Sequence, residues 1–136
     1  MKKKIATLVM LGAAIAPAAG VVKVQAVMSQ GTAVAGTSSG QAAILVQVND
    51  PATGAAITGL PQANFQVVDQ LSLPGQTCSF TNQITSFSEA ADGAYEIRVG
   101  LAITARDCAW VRGTYLAGIK ISGNVQGESI ATLTVR

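Results

Sequence analysis

The chain has 136 residues, with nine Lys and Arg against seven Asp and Glu, two cysteines and no histidine. The missing imidazole excludes the Ser-His-Asp triad, the usual general base and the common zinc sites, so the search for chemistry begins with most enzyme classes removed. After Lys2 to Lys4 the charged residues are few and scattered, which leaves no basic stripe on which a nucleic acid would dock.

The chain opens with Lys2, Lys3 and Lys4, continues as an apolar run from Ile5 to about Val22, and leaves that run through Val24-Gln25-Ala26. A basic head, an apolar middle and small residues at −3 and −1 are the parts of a secretory signal peptide, read as residues 1–26. Cuts after Ala18 or Gly20 are alternatives. The run is close to the length that spans a bilayer, but Pro17 and the Gly and Ala content favour cleavage over anchoring. A cut at Ala26 removes Lys2, Lys3, Lys4 and Lys23, leaving five basic residues against seven acids and a net charge of −2. Nothing after it is long and apolar enough to span a membrane, so no membrane span is expected once the leader is cleaved.

Residues 27–42, beginning VMSQGTAVAGTSSGQ, offer little to bury and read as a flexible N-terminal segment. Gly31 to Ala35 is an alternative first edge strand. From residue 43 to 136 the vocabulary is Val, Ile, Thr, Ala and Gly, broken by turn residues. Ile44, Val46 and Val48 alternate with Leu45 and Gln47, and Asn49-Asp50-Pro51 with Thr53-Gly54 ends that strand in a turn. A second strand runs from Asn64 to Asp69 with Phe65 and Val67 on one face. A third lies around Asn82 to Ser88, where periodicity leaves open whether Ile84 and Ser86 or Thr85 and Phe87 face inward. Ala91-Asp92-Gly93 then turns the chain into Tyr95, Ile97 and Val99. Gly113 precedes Tyr115, Ala117, Ile119 and Ile121, and after Ser122-Gly123-Asn124 the chain closes on Ala131, Leu133 and Val135. The expectation is an all-β chain of about seven strands in one antiparallel β-sandwich.

The runs ILVQVNDPATGAAITGLPQANFQVVD, DGAYEIRV, AWVRGTYLAGIKISG and SIATLTV are similar to bacterial Ig-like domains of the filamin and invasin types. In those, a "GL" segment enters an "NF.V" strand and a "DG.Y" turn opens a later one. The resemblance spans Ala43 to Arg136 and implies an Ig-like sandwich; its turn and core signals imply no particular ligand. The chain departs from antibody-type domains because Trp110 follows both cysteines. A bridge between them is therefore not expected to be the inter-sheet one. Tyr115, near the start of its strand, stands where a tyrosine corner would.

Two cysteines in an exported chain pair most economically as one disulfide, Cys78 with Cys108. Closing that loop is worth roughly 3–4 kcal/mol in the chain-entropy model. The pair lacks the spacing of a redox or metal motif. The acids Asp50, Asp69, Glu89, Asp92, Glu96, Asp107 and Glu128 are dispersed, so no shared carboxylate site stands out. Asp50 and Asp92 fall in turns and read as turn formers rather than calcium ligands. Neither a metal nor another cofactor is expected.

Arg106, Asp107, Trp110 and Arg112 form the one segment with chemical character. Exposed, the indole between two guanidinium groups would stack on a sugar or anchor a protein; turned inward, it seals one end of the core, the reading favoured for a lone Trp in a small sandwich. The expected function is a non-enzymatic, exported Ig-like binding module, periplasmic or at the cell surface or in the medium, with an extracellular or envelope protein or a glycan as partner. A pilus or filament subunit that self-assembles by strand addition, with the segment from Val27 to Gln41 as donor, is the alternative. A small secreted hydrolase is the second.

Overall fold

The computed structural model describes residues 20–70, 78–102 and 108–136. Its strands are β1 (Gly20–Val21), β2 (Lys23–Ser29), β3 (Ala42–Asn49), β4 (Phe65–Asp69), β5 (Ile84–Ala91), β6 (Ala94–Val99), β7 (Gly113–Ile121) and β8 (Val125–Val135). They form two four-stranded sheets, β1-β8-β7-β4 and β2-β3-β6-β5. Every pairing is antiparallel except the short parallel contact of β1 with β8. The all-β reading holds among the described residues, with eight strands in place of about seven.

Alternation produces the two layers. In β3, Ile44, Val46 and Val48 are fully buried, as are Tyr95, Ile97 and Val99 in β6 and Tyr115, Ala117 and Ile119 in β7. Successive side chains of a strand point to opposite faces, so each sheet turns one apolar face to the other and the core lies between them. Burial of these rows is the main driving force for the fold.

The additional strands come from the segment read as the end of the leader. Gly20 and Val21 pair with Val125 and Gln126, and Lys23 through Ser29 pair with Asn49 through Ala43. Val22 lies between them, donating its N–H to the Gln126 carbonyl at 2.9 Å while its side chain is buried where the chain crosses from one sheet to the other. Val24, Ala26 and Met28 continue the inward row. Small apolar residues satisfy both a leader's apolar run and a strand's inner face, which is why composition did not separate the two. A cut after Ala26 would divide β2; the expected leader's residues 1–19 lie outside the described residues.

Residues 30–41 are also held in place rather than loose. Gly36 donates its N–H to the Trp110 carbonyl at 2.7 Å, and Trp110 donates its own to Thr37 at 2.8 Å. Ala33 is fully buried.

The outer sheet edges are closed by local devices. Asn82, at φ 54°, donates its N–H to the Val67 carbonyl at 2.8 Å, and its side-chain oxygen accepts from Val67 N–H at 3.2 Å. Thr81 Oγ accepts from Asp69 N–H at 3.2 Å, so β4 presents a largely satisfied edge. In β5 the register slips at Thr85 and again at Ala90, and such bulges spoil an edge for pairing.

Candidate interaction surfaces

The connections fall into two groups set by strand direction. Among the described residues, 30–41, 70, 78–83, 100–102 and 108–112 lie at one end of the sandwich; residues 50–64, 92–93 and 122–124 lie at the other.

The first end carries the expected disulfide. Cys78 and Cys108 are bonded, with Cα atoms 5.5 Å apart, and both are buried. The bridge joins the β4–β5 connection to the β6–β7 connection, so it ties two loops rather than two strands.

Trp110 is fully buried beside it, and its indole N–H donates to the Gly40 carbonyl at 3.2 Å. It packs against Tyr115, with ring centroids 5.5 Å apart and edge-to-face, and against Phe80 at 6.1 Å. The tryptophan thus takes the inward alternative and is removed from the candidate contact set. Arg112 is exposed. Arg106 and Asp107 lie outside the described residues.

Tyr115 begins the inner row of β7, and its hydroxyl bridges back to one residue. It donates to the Val111 carbonyl at 2.9 Å and accepts from the Val111 N–H at 2.8 Å. Burial, aided by the negative charge of Asp69, raises the phenol above its usual value of 10, against the opposing backbone bond.

The second end is held by a different set. The Tyr95 hydroxyl donates to the Ile57 carbonyl at 2.7 Å and accepts from Leu60 N–H at 3.1 Å, fixing the β3–β4 connection over the core. Glu89 accepts from Gly93 N–H and from Gly59 N–H, each at 3.0 Å. Those two backbone donors, Gly93 first, lower its carboxyl below the usual 4.5. Gly93 is at φ 69°, and a Cβ there would fall 2.9 Å from the Val48 carbonyl, so the turn requires glycine. Asp50 accepts from Ala52 N–H at 2.7 Å and Thr53 N–H at 3.2 Å, the Asx geometry read from its turn. No group of three or more His, Cys, Asp or Glu side chains placed to hold a metal occurs among the described residues.

The outer faces of the sheets carry features that the sequence reading passed over. On the β2-β3-β6-β5 face, Val27 and Leu45 are cross-strand partners and both are more than half exposed. On the other face, Val68, Gly118 and Ile130 lie on one rung across β4, β7 and β8. Ile130 is 59% exposed beside a hollow of about 390 Å³ bordered by Gln70 and Gly118 and, further along, by Lys120 and Glu128. The signal was visible as Ile130 next to Ala131 and Leu116 next to Tyr115, apolar residues on both parities of a strand that needs only one. Attention to the inward row alone missed it.

No family model, curated protein or solved structure matches this chain.

Proposed function

We propose that the protein is an exported Ig-like module that acts by binding, without catalytic chemistry of its own. The observation that carries this reading is where its polar side chains point. Glu89, Tyr95, Trp110 and Tyr115 all direct their polar atoms to backbone groups of the connections. Such bonds hold loops and faces in fixed shapes, as a recognition surface requires, and set no nucleophile beside a base. The complete lack of histidine in the sequence points the same way.

Two features support the Ig-like assignment. Lettered A to G from β2 to β8, the sheets read ABED and CFG, the order of constant-type Ig domains, with β1 as a short extra strand beside G. The Tyr115 bridge to Val111 has the form of a tyrosine corner at the start of strand F. Export is supported by the lysine-headed leader and by the disulfide. With Gly20 already paired, the cut belongs after Ala18, where Ala16 and Ala18 supply the small residues at −3 and −1. Strand addition by Val27 to Gln41 loses its support, because β2 takes the first of these residues and Trp110 ties down the middle of the rest.

The test is expression of the full chain in a secreting host, followed by intact mass with and without reduction, then binding screens against glycans and envelope proteins. The expected product starts at Ala19 with both thiols blocked, and it binds a partner without turnover. Retention of the leader overturns export, and turnover of any substrate overturns the binding reading.

A further inference from the structure

The outer face of the β1-β8-β7-β4 sheet carries a pattern in which each feature has its complement one strand away. Gly118 on β7 has no side chain of its own and borders a hollow that Gln70 also lines, and its cross-strand partner Ile130 on β8 projects into solvent. Two residues along, Lys120 on β7 is partnered by Glu128 on β8, both exposed. Two residues the other way, half-buried Leu116 is partnered by the smaller, exposed Thr132. A large side chain is thus beside a small one, and a cation beside an anion, at three successive positions.

We propose that this face is a two-fold interface through which a second copy of the chain docks. A dimer across a two-fold axis uses the same patch on both subunits, so the patch must be complementary to itself. An axis parallel to the strands, midway between β7 and β8, exchanges the two strands. It sets Ile130 of each copy over Gly118 of the other and, in the same operation, Lys120 over Glu128 and Leu116 over Thr132. Packed sheets lie about 10 Å apart, a gap that an isoleucine opposite a glycine fills once the Gln70 side chain has moved aside. One axis satisfies shape and charge together, and this correspondence argues for a copy of the same chain over an unrelated partner.

The Gln70 side chain lies across Gly118 in the single chain and lines the hollow. It is exposed, and it is the group that the incoming Ile130 displaces. The matched positions span only three cross-strand pairs, so the dimer is a weak one. This inference deepens the module reading by naming one of its partners.

Sedimentation equilibrium of the mature, disulfide-bonded protein from about 10 μM to about 1 mM tests it. The expected result is a reversible monomer–dimer equilibrium. Ile130→Asp abolishes the dimer, and Lys120→Glu and Glu128→Lys each weaken it about tenfold. The double variant Lys120→Glu/Glu128→Lys restores it, because the axis pairs those two positions with each other. Melting curves of the variants confirm that each is folded, and Leu45→Asp, on the opposite sheet, leaves association unchanged. A monomer at every concentration overturns the proposal, as does a double variant as weak as either single one, or loss of the dimer in Leu45→Asp. Any of these leaves the binding-module reading standing, since that reading fails on turnover of a substrate.

Discussion

The two ends of the sandwich solve the same problem with different chemistry. All six aromatic residues of the protein fall into two trios: Phe80, Trp110 and Tyr115 at one end, Phe65, Phe87 and Tyr95 toward the other. Each trio contains one tyrosine whose hydroxyl both donates to and accepts from the backbone. At the first end Tyr115 bonds four residues upstream and the loops are joined covalently by Cys78–Cys108. At the second, Tyr95 reaches 35 and 38 residues back, and the clasp beside it is an ionised carboxylate, Glu89, on two backbone N–H groups. One end is therefore sensitive to redox conditions and the other to acid. The lesson is that a small sandwich with few charges can hold long connections either way, but each fails under a different stress.

The largest expected effect breaks the first end. Trp110→Ala removes the largest fully buried side chain and frees the Gly40 carbonyl, and should cost about 3–5 kcal/mol in urea unfolding. A cost below about 1 kcal/mol would mean that the indole is not a core element. Next is the disulfide. Replacing Cys78 and Cys108 together by Ala opens a loop of separation 30 and should cost about 3–4 kcal/mol. Reduction of the wild type should reproduce that loss, and hydrogen exchange should show it concentrated at residues 30–41 and 108–112, with residues 57–60 still protected. Equal loss at both ends would erase the contrast.

Much of this was legible in the residues. The alternations of β3, β6, β7 and β8 could be read because each has an unbroken period of two between turn signals. Strand β5 could not, and its bulge gives the reason. The extra residue at Thr85 puts Ile84 and Phe87, three apart, against the same core, so neither parity describes it. The disulfide followed from counting cysteines, and the Tyr115 bridge from its place at the start of a strand. Strands β1 and β2 were hidden because their apolar composition served another reading. The outer face of β7 and β8 was legible only in its surplus apolar residues, Leu116 and Ile130; that Ile130 partners Gly118 and Lys120 partners Glu128 depends on which residues meet across strands.

The tyrosines sharpen the comparison at the level of single hydrogen bonds. Tyr95→Phe leaves the buried Leu60 N–H without its acceptor and should cost about 2–3 kcal/mol, while Tyr115→Phe frees only part-buried groups that water can reach and should cost about 1 kcal/mol. Urea midpoints at constant slope measure both, and the reverse order would place the tighter bracket at the disulfide end.

The smallest effect is the most diagnostic, because it appears only in acid. Backbone donation from Gly93 and Gly59 holds the Glu89 carboxyl below 4.5 in the folded chain. A carboxyl whose folded value lies below its unfolded one contributes stability above the unfolded value, and that contribution is lost as pH falls through the folded value. The wild-type melting temperature should therefore decline as pH falls below 4.5, with the 57–60 connection loosening before the disulfide end. In Glu89→Gln the amide oxygen can still accept but carries no charge to titrate. Its melting temperature should be slightly lower at neutral pH and should fall less steeply in acid. An unchanged acid limb in Glu89→Gln would show that the clasp does not couple to protonation, and the second end would then owe its order to Tyr95 and packing alone.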